Sequence, residues 1–151
     1  MSDPTGDPPP PRVIAVEDNP ADVRLVTEGI DHAGTEVDLR VINSGQRAIN
    51  RFTTIDADAP LEHPELILLD LNLPVRSGFA VLNSIRNQTT FQDVPVVVVS
   101  GSMDRTDITR VYERSGNAYV TKPADPDDYI ETISAIVEFW IPPGGRLIPN
   151  D

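Results

Sequence analysis

The sequence predicts an α/β domain, a doubly wound parallel sheet of five strands with helices on both faces. Three observations carry this. Leu66 to Leu69 is an unbroken aliphatic run without alternation, the pattern of a strand buried on both faces. Arg12 to Val16 and Val94 to Val99 have the same character. The stretches between carry apolar residues at helical spacing and are bounded by Gly, Pro or capping residues, so strand and helix alternate five times.

The elements follow in order. Residues 1–11 read as a disordered tail, extended where Pro8 to Pro11 run together. The first strand, Arg12 to Val16, ends on Glu17-Asp18-Asn19-Pro20, and Asn or Asp before Pro marks a helix entry. Val23, Val26, Ile30 and Ala33 recur at helical spacing until Gly34. Val37, Leu39 and Val41 then alternate against polar neighbours, as an edge strand from Val37 to Ile42 should. Ser44 caps a helix over Gln46 to Ile55. A polar loop, Asp56 to Pro64, leads into the third strand, which ends on Asp70.

Past Pro74 and Gly78, a third helix buries Phe79, Val81, Leu82 and Ile85. The fourth strand, Val94 to Val99, delivers Ser100 and Gly101. A polar fourth helix, Asp104 to Arg114, has few apolar anchors and is expected to be loosely held. Gly116 ends it. Ala118 to Thr121 forms a short fifth strand before Lys122-Pro123. The last helix, Pro126 to Trp140, turns Tyr129, Ile133, Ile136, Val137 and Trp140 inward, and Pro142-Pro143-Gly144-Gly145 breaks it. The domain therefore spans 12–140, with a C-terminal tail over 141–151. Phe139 and Trp140 finish a core or, with Ile141, Leu147 and Ile148, form a dimer contact.

Composition bounds the function. The chain has 151 residues, enough for one domain with its own core, and no cysteine, which excludes disulfide and thiol chemistry. No apolar run reaches membrane-spanning length and the N-terminus does not read as a signal peptide, so a soluble cytoplasmic protein is expected. A net charge of -12 argues against direct contact with nucleic acid or an anionic membrane. Eleven of the twelve basic residues are arginine; the one lysine is Lys122. Such an acidic, lysine-poor surface resembles cytoplasmic proteins of salt-accumulating organisms. A chain that otherwise avoids lysine has kept one, which points to a task for a compact, flexible ammonium.

The flavodoxin-like strand order 2-1-3-4-5 puts Glu17 and Asp18 beside Asp70, with Ser100 and Lys122 further along the same rim. Alone, Asp70 reads as a turn former or N-cap, Glu17 and Asp18 as helix-entry residues, Ser100 as a strand-end hydroxyl and Tyr119 as core. Together they form one crevice. His32 and His63 lie away from the strand ends and read as solvated. Asn87-Gln88-Thr89 matches a glycosylation sequon that carries no meaning in a cytosolic chain.

The set Glu17-Asp18, Asp70 with Asn72-Leu73-Pro74 and Gly78, Ser100, and Lys122-Pro123 resembles the receiver domain of two-component response regulators over Arg12 to Trp140. Within that family the chain looks like the small single-domain regulators that pair with phytochrome-type histidine kinases. Arg76-Ser77 where an acidic residue is frequent, Ser100 for threonine and Gly101 for alanine are departures that bear on the lifetime of a phosphorylated state. The resemblance implies a phosphoprotein that takes a phosphoryl group from a sensor histidine kinase onto Asp70.

The residues support that chemistry. Three carboxylates in one pocket repel one another, and oxygen-only ligation suits Mg²⁺. The ion is assigned to Asp18, Asp70 and the main-chain carbonyl of Asn72, with Glu17 acting through a water. Lys122 and the metal would stabilise charge on the transferred oxygens. Ser100 would then donate to the phosphoryl group, drawing its loop inward and letting the Tyr119 ring swing into the vacated space. A cis Lys122-Pro123 bond is expected to fix the lysine's approach. The output surface is the face of the fourth helix, fifth strand and fifth helix, acting on an unknown downstream protein or a second copy.

Other classes remain. A haloacid-dehalogenase type phosphatase needs a second acid two residues after its nucleophile, where this chain has Asn72, so enzymatic turnover is not expected. A flavodoxin-like nucleotide module needs a Gly-rich loop after the first strand, which is missing. An unphosphorylated scaffold is the third alternative. The tail after Trp140 is too short for a DNA-binding module.

Overall fold

Leu66–Leu69, the run of four aliphatic residues, forms β3 at the centre of the sheet with every side chain buried. The computed structural model describes residues 9–54, 63–87 and 91–141. In chain order these hold β1 (Arg12–Val16), α1 (Pro20–His32), β2 (Asp38–Ile42), α2 (Gly45–Thr54), β3, α3 (Gly78–Asn87), β4 (Val96–Ser100), α4 (Arg105–Glu113), β5 (Ala118–Thr121) and α5 (Pro126–Trp140). The strands are parallel in the order β2-β1-β3-β4-β5, as expected from the alternation of strand and helix. The N-terminal tail to residue 8, the loop over 55–62, the sequon beyond Asn87, and Leu147 and Ile148 lie outside the described residues.

The sheet divides the core in two. Ile14, Val16, Ile67, Leu69, Val96 and Val98 face α2 and α3, where Phe52, Val81, Leu82, Ile85 and Phe91 cover them. Val13, Ala15, Leu66, Leu68, Val97 and Val99 face α1 and α5, covered by Val26, Ile30, Ile133 and Val137. Successive residues of a strand point to opposite faces, so a strand covered on both sides needs an apolar residue at every position. Each such fully buried side chain contributes about 1.5–3 kcal/mol. α1 and α5 touch closely: a side chain at Gly29 would lie 2.6 Å from the Ile133 Cβ.

Several expectations need correction. β4 begins at Val96, because Pro95 has no N–H for the ladder; its carbonyl accepts from Ile67 N at 2.9 Å. On edge strand β2, Val41 is exposed, whereas Ile42 packs against the α2 side. Phe79 is only half-buried, with the Arg110 guanidinium 3.9 Å over its ring. Trp140 is half-buried, Ile141 is buried and Phe139 is exposed. The Lys122–Pro123 bond is trans. The trans form is ordinarily the favoured one, and here the lysine is fixed by ion pairs instead. The exposed ring of His63 stacks on Phe91.

Candidate functional site

Three parallel strands end side by side at one rim, and their next residues define the site. β1 runs out into Glu17 and Asp18, β3 into Asp70, and β4 ends on Ser100. Ladder bonds hold these ends: Glu17 N donates to Ile42 O at 3.0 Å and Asp70 N to Val16 O at 3.1 Å. Lys122 N donates to Ser100 O at 2.8 Å, which ties the exit of β5 to that of β4. The carboxylates of Glu17 and Asp70 are therefore buried against a rigid sheet.

The loop after β3 is shaped to pass close beneath Asp70. Asn72 N donates to Asp70 Oδ1 at 3.0 Å, and Gly78 N donates to Leu71 O at 3.0 Å. A side chain at Gly78 would run into the Asp70 carbonyl and the Leu71 Cα, so only glycine lets α3 start this near the strand. At the loop's tip Val75 has φ 67, with Arg76 N donating to Pro74 O at 2.7 Å across it.

One ammonium ties the acids together. Lys122 Nζ lies 2.8 Å from Glu17 Oε2, 2.7 Å from Asp22 Oδ2 and 3.2 Å from Asp70 Oδ2. Asp22, in the first turn of α1, is missing from the sequence-derived set. A carboxylate there reads as an ordinary favourable charge at a helix N-terminus. Nothing else in the sequence marks it, because Asp18 precedes the extended Asn19 cap and helical spacing does not relate the two.

Glu17 has both oxygens engaged, since Oε1 accepts from Asn19 N at 3.0 Å. Burial, aided by the Asp70 charge, pushes its pKa up to about 7 against the pull of those bonds. Burial by itself would lower the Lys122 pKa, but the bonds to Asp22 and Glu17 and the Asp70 charge outweigh it and hold the ammonium protonated.

Glu17, Asp18 and Asp70 place one oxygen each within 4.8 Å of the others. Hard carboxylate oxygens with no nitrogen or sulfur are the donor set of a divalent ion such as Mg²⁺ or Mn²⁺. Three acids contact the single Lys122 ammonium and Asp18 adds a further carboxylate to the group, so cationic charge is also wanting here. The residues present fit a metal.

The hydroxyl of Ser100 completes the rim. Its oxygen is fully buried and accepts from Asn72 Nδ2 at 3.4 Å and Ser102 N at 3.3 Å. Tyr119 is half-buried, packs against the α2–α3 core, and donates its hydroxyl to the Ser102 carbonyl at 2.5 Å. Ser102 also donates to Asp107 Oδ2 of α4 at 2.8 Å. Ser100, Tyr119 and α4 are thus joined through one short loop.

The model of the response regulator receiver domain family matches residues 13–134. The chain belongs to that family. The receiver is 33% identical over 133 residues to the response regulator Rcp1 of Synechocystis sp., covering 88% of this chain and 90% of that one. Its fold is similar to a phosphorylated cyanobacterial phytochrome response regulator, RcpA, with TM-score 0.80 and 34% identity over 87% of this chain and 94% of that one. It is equally similar to an Mn²⁺-bound form of Rcp1, with TM-score 0.80 and 31% identity over 93% of this chain and 100% of that one. Receiver domains act in two-component signalling with histidine kinases and carry a divalent ion at their acidic site. No helix among the described residues of this receiver is long and apolar enough to cross a membrane.

Proposed function

We propose that this receiver, over residues 12–140, accepts a phosphoryl group on Asp70 with Mg²⁺ and signals by contact with another protein. The observation that carries the reading is the Lys122 ammonium, 3.2 Å from Asp70 Oδ2 at a sheet end where three carboxylate oxygens converge. Asp70 attacks the phosphorus of a phosphohistidine. A P–O bond forms to its carboxylate, the P–N bond breaks, and the imidazole nitrogen keeps the electron pair and takes a proton. The product is an acyl phosphate.

Each residue has a part in this. Asp18, Asp70 and the main-chain carbonyl of Asn72 would hold the ion, with Glu17 behind a water; bound there, it supplies positive charge opposite the transferred oxygens. Asn72 N, donating to Asp70 Oδ1, fixes the rotation of the nucleophile. Lys122 presents an N–H to a phosphoryl oxygen and offsets the charge that develops there. Ser100 accepts two hydrogen bonds, leaving its own hydrogen to donate to the new dianion. A turn of Ser100 draws on Ser102, which Tyr119 and Asp107 grip, so the change reaches the α4–β5–α5 face. That face is the proposed output surface toward a downstream protein or a second copy. The proposed activity is confined to the receiver's own phosphoryl transfer and hydrolysis, in the cytoplasm with a sensor histidine kinase as donor. The phosphorylated RcpA and the Mn²⁺-bound Rcp1 support the reading by similarity.

Incubation with Mg²⁺ and acetyl phosphate tests it by intact mass. One added phosphoryl group, lost in Asp70→Asn and in EDTA, is expected. No addition at low or high salt would favour the unphosphorylated scaffold.

A further inference from the structure

The shortest contact of Lys122 is to Asp22, a residue outside the set that defines the site. Nζ lies 2.7 Å from Asp22 Oδ2, and the two side chains are 15% and 23% exposed. The backbone of Asp22 is fixed: Asn19 Oδ1 accepts from Ala21 N at 2.9 Å and from Asp22 N at 3.3 Å. The start of α1 favours its negative charge. Its carboxylate is not among the mutually close oxygens of Glu17, Asp18 and Asp70. Asp22 is therefore a partner of the lysine that stands outside the acidic group suited to a metal.

An ammonium has three donors, and here each has a carboxylate: Glu17, Asp22 and Asp70. Two of those acceptors belong to the metal-suited group. A divalent ion held by the acidic group would compensate Glu17 and Asp70 and weaken their hold on the lysine, and the Asp22 bond, outside that group, would stay. We propose that Asp22 is a positioning residue for phosphoryl transfer, anchoring the Lys122 ammonium beside Asp70 when the pocket is loaded. The proposal rests on the reading of Asp70 as phosphoacceptor and deepens it. During transfer the N–H now facing Asp70 turns to a phosphoryl oxygen while Asp22 retains its own. Without that anchor the flexible four-carbon stem is free to swing to solvent.

The test uses the full chain at saturating Mg²⁺, comparing wild type, Asp22→Asn and Asp22→Glu. Phosphorylation by acetyl phosphate is followed by intact mass, alongside NMR of ¹⁵N-lysine-labelled protein. One lysine in the chain gives one side-chain ammonium signal, which reports the anchor directly. The expected result is a rate about tenfold lower in Asp22→Asn, with the ammonium signal shifted or broadened, an unchanged thermal midpoint, and recovery of rate and signal in Asp22→Glu. An Asp22→Asn protein with wild-type rate or an unmoved signal overturns the proposal. So does a slow variant that is also destabilised and not rescued by Glu, because Asp22 would then serve only the fold. A wild type that takes no phosphoryl group overturns the phosphoacceptor reading itself; a shifted ammonium signal then leaves Asp22 as the lysine's anchor and nothing more.

Discussion

Glu17 is a buried acid in contact with the pocket's lysine. Its folded pKa, about 7, stands above the ordinary 4.5, so the folded state holds a proton between those values that the unfolded chain has lost. The sign follows: Glu17 favours folding most below pH 4.5, and that contribution declines as pH rises through 7. Metal has the opposite dependence, since it competes with the proton for the acids. Mg²⁺ affinity, measured by calorimetry, is expected to rise by up to about tenfold per pH unit below 7 and to level off above it. A flat profile from pH 5 to 8 would contradict this. At this scale the sequence showed strand-end residues well, because a strand's last residue must emerge at the sheet's edge. It could not show Asp22, which reaches Lys122 from a helix, nor the commitment of both Glu17 oxygens, which depends on the turn at Asn19.

Among the elements, the β3–α3 loop shows local strain beside chemistry. Val75 is β-branched, 95% exposed and held at φ 67, a conformation costing about 1–3 kcal/mol for such a residue. Val75→Gly removes that cost and almost no packing, and is expected to raise the thermal midpoint by about 2–4 °C for each kcal/mol recovered. A fall on scanning calorimetry would show that the valine packs or orders the loop. The elements themselves were legible because central strands are apolar at every position and helices announce their caps, such as Ser44, whose Oγ accepts from Arg47 N at 3.1 Å. The sequence predicts a weakly anchored α4, and Val111 is its one buried residue. The edge was harder. Val41 fits an alternating strand by pattern, yet it is 40% exposed, and a two-residue period cannot report what lies opposite. A place in a helix does not disclose the task of Arg86, whose guanidinium bonds the carbonyls of Phe91, Gln92, Val94 and Ser115 and the Asn117 side chain, clamping the far end of the sheet.

For the whole molecule the dominant quantity is a net charge of -12. Self-repulsion of that size opposes the folded state, and it is screened as the Debye length falls from about 10 Å at 0.1 M salt to about 3 Å at 1 M. The thermal midpoint is therefore expected to rise by several degrees over that range; a midpoint independent of salt would remove the link between composition and ionic strength. The strand order was legible because alternating strand and helix leaves few parallel topologies, and that order alone brings β1, β3 and β4 to one rim. How Lys122 divides itself among its acids was not, since that depends on side-chain reach across three elements. The most direct test of the account is the site of phosphorylation. Protein treated with Mg²⁺ and acetyl phosphate is reduced with borohydride, which converts an acyl phosphate on aspartate to homoserine, and then digested and sequenced by mass spectrometry. Homoserine is expected at position 70 and nowhere else; homoserine at another aspartate, or a phosphoryl group that resists borohydride, would contradict Asp70 as the phosphoacceptor.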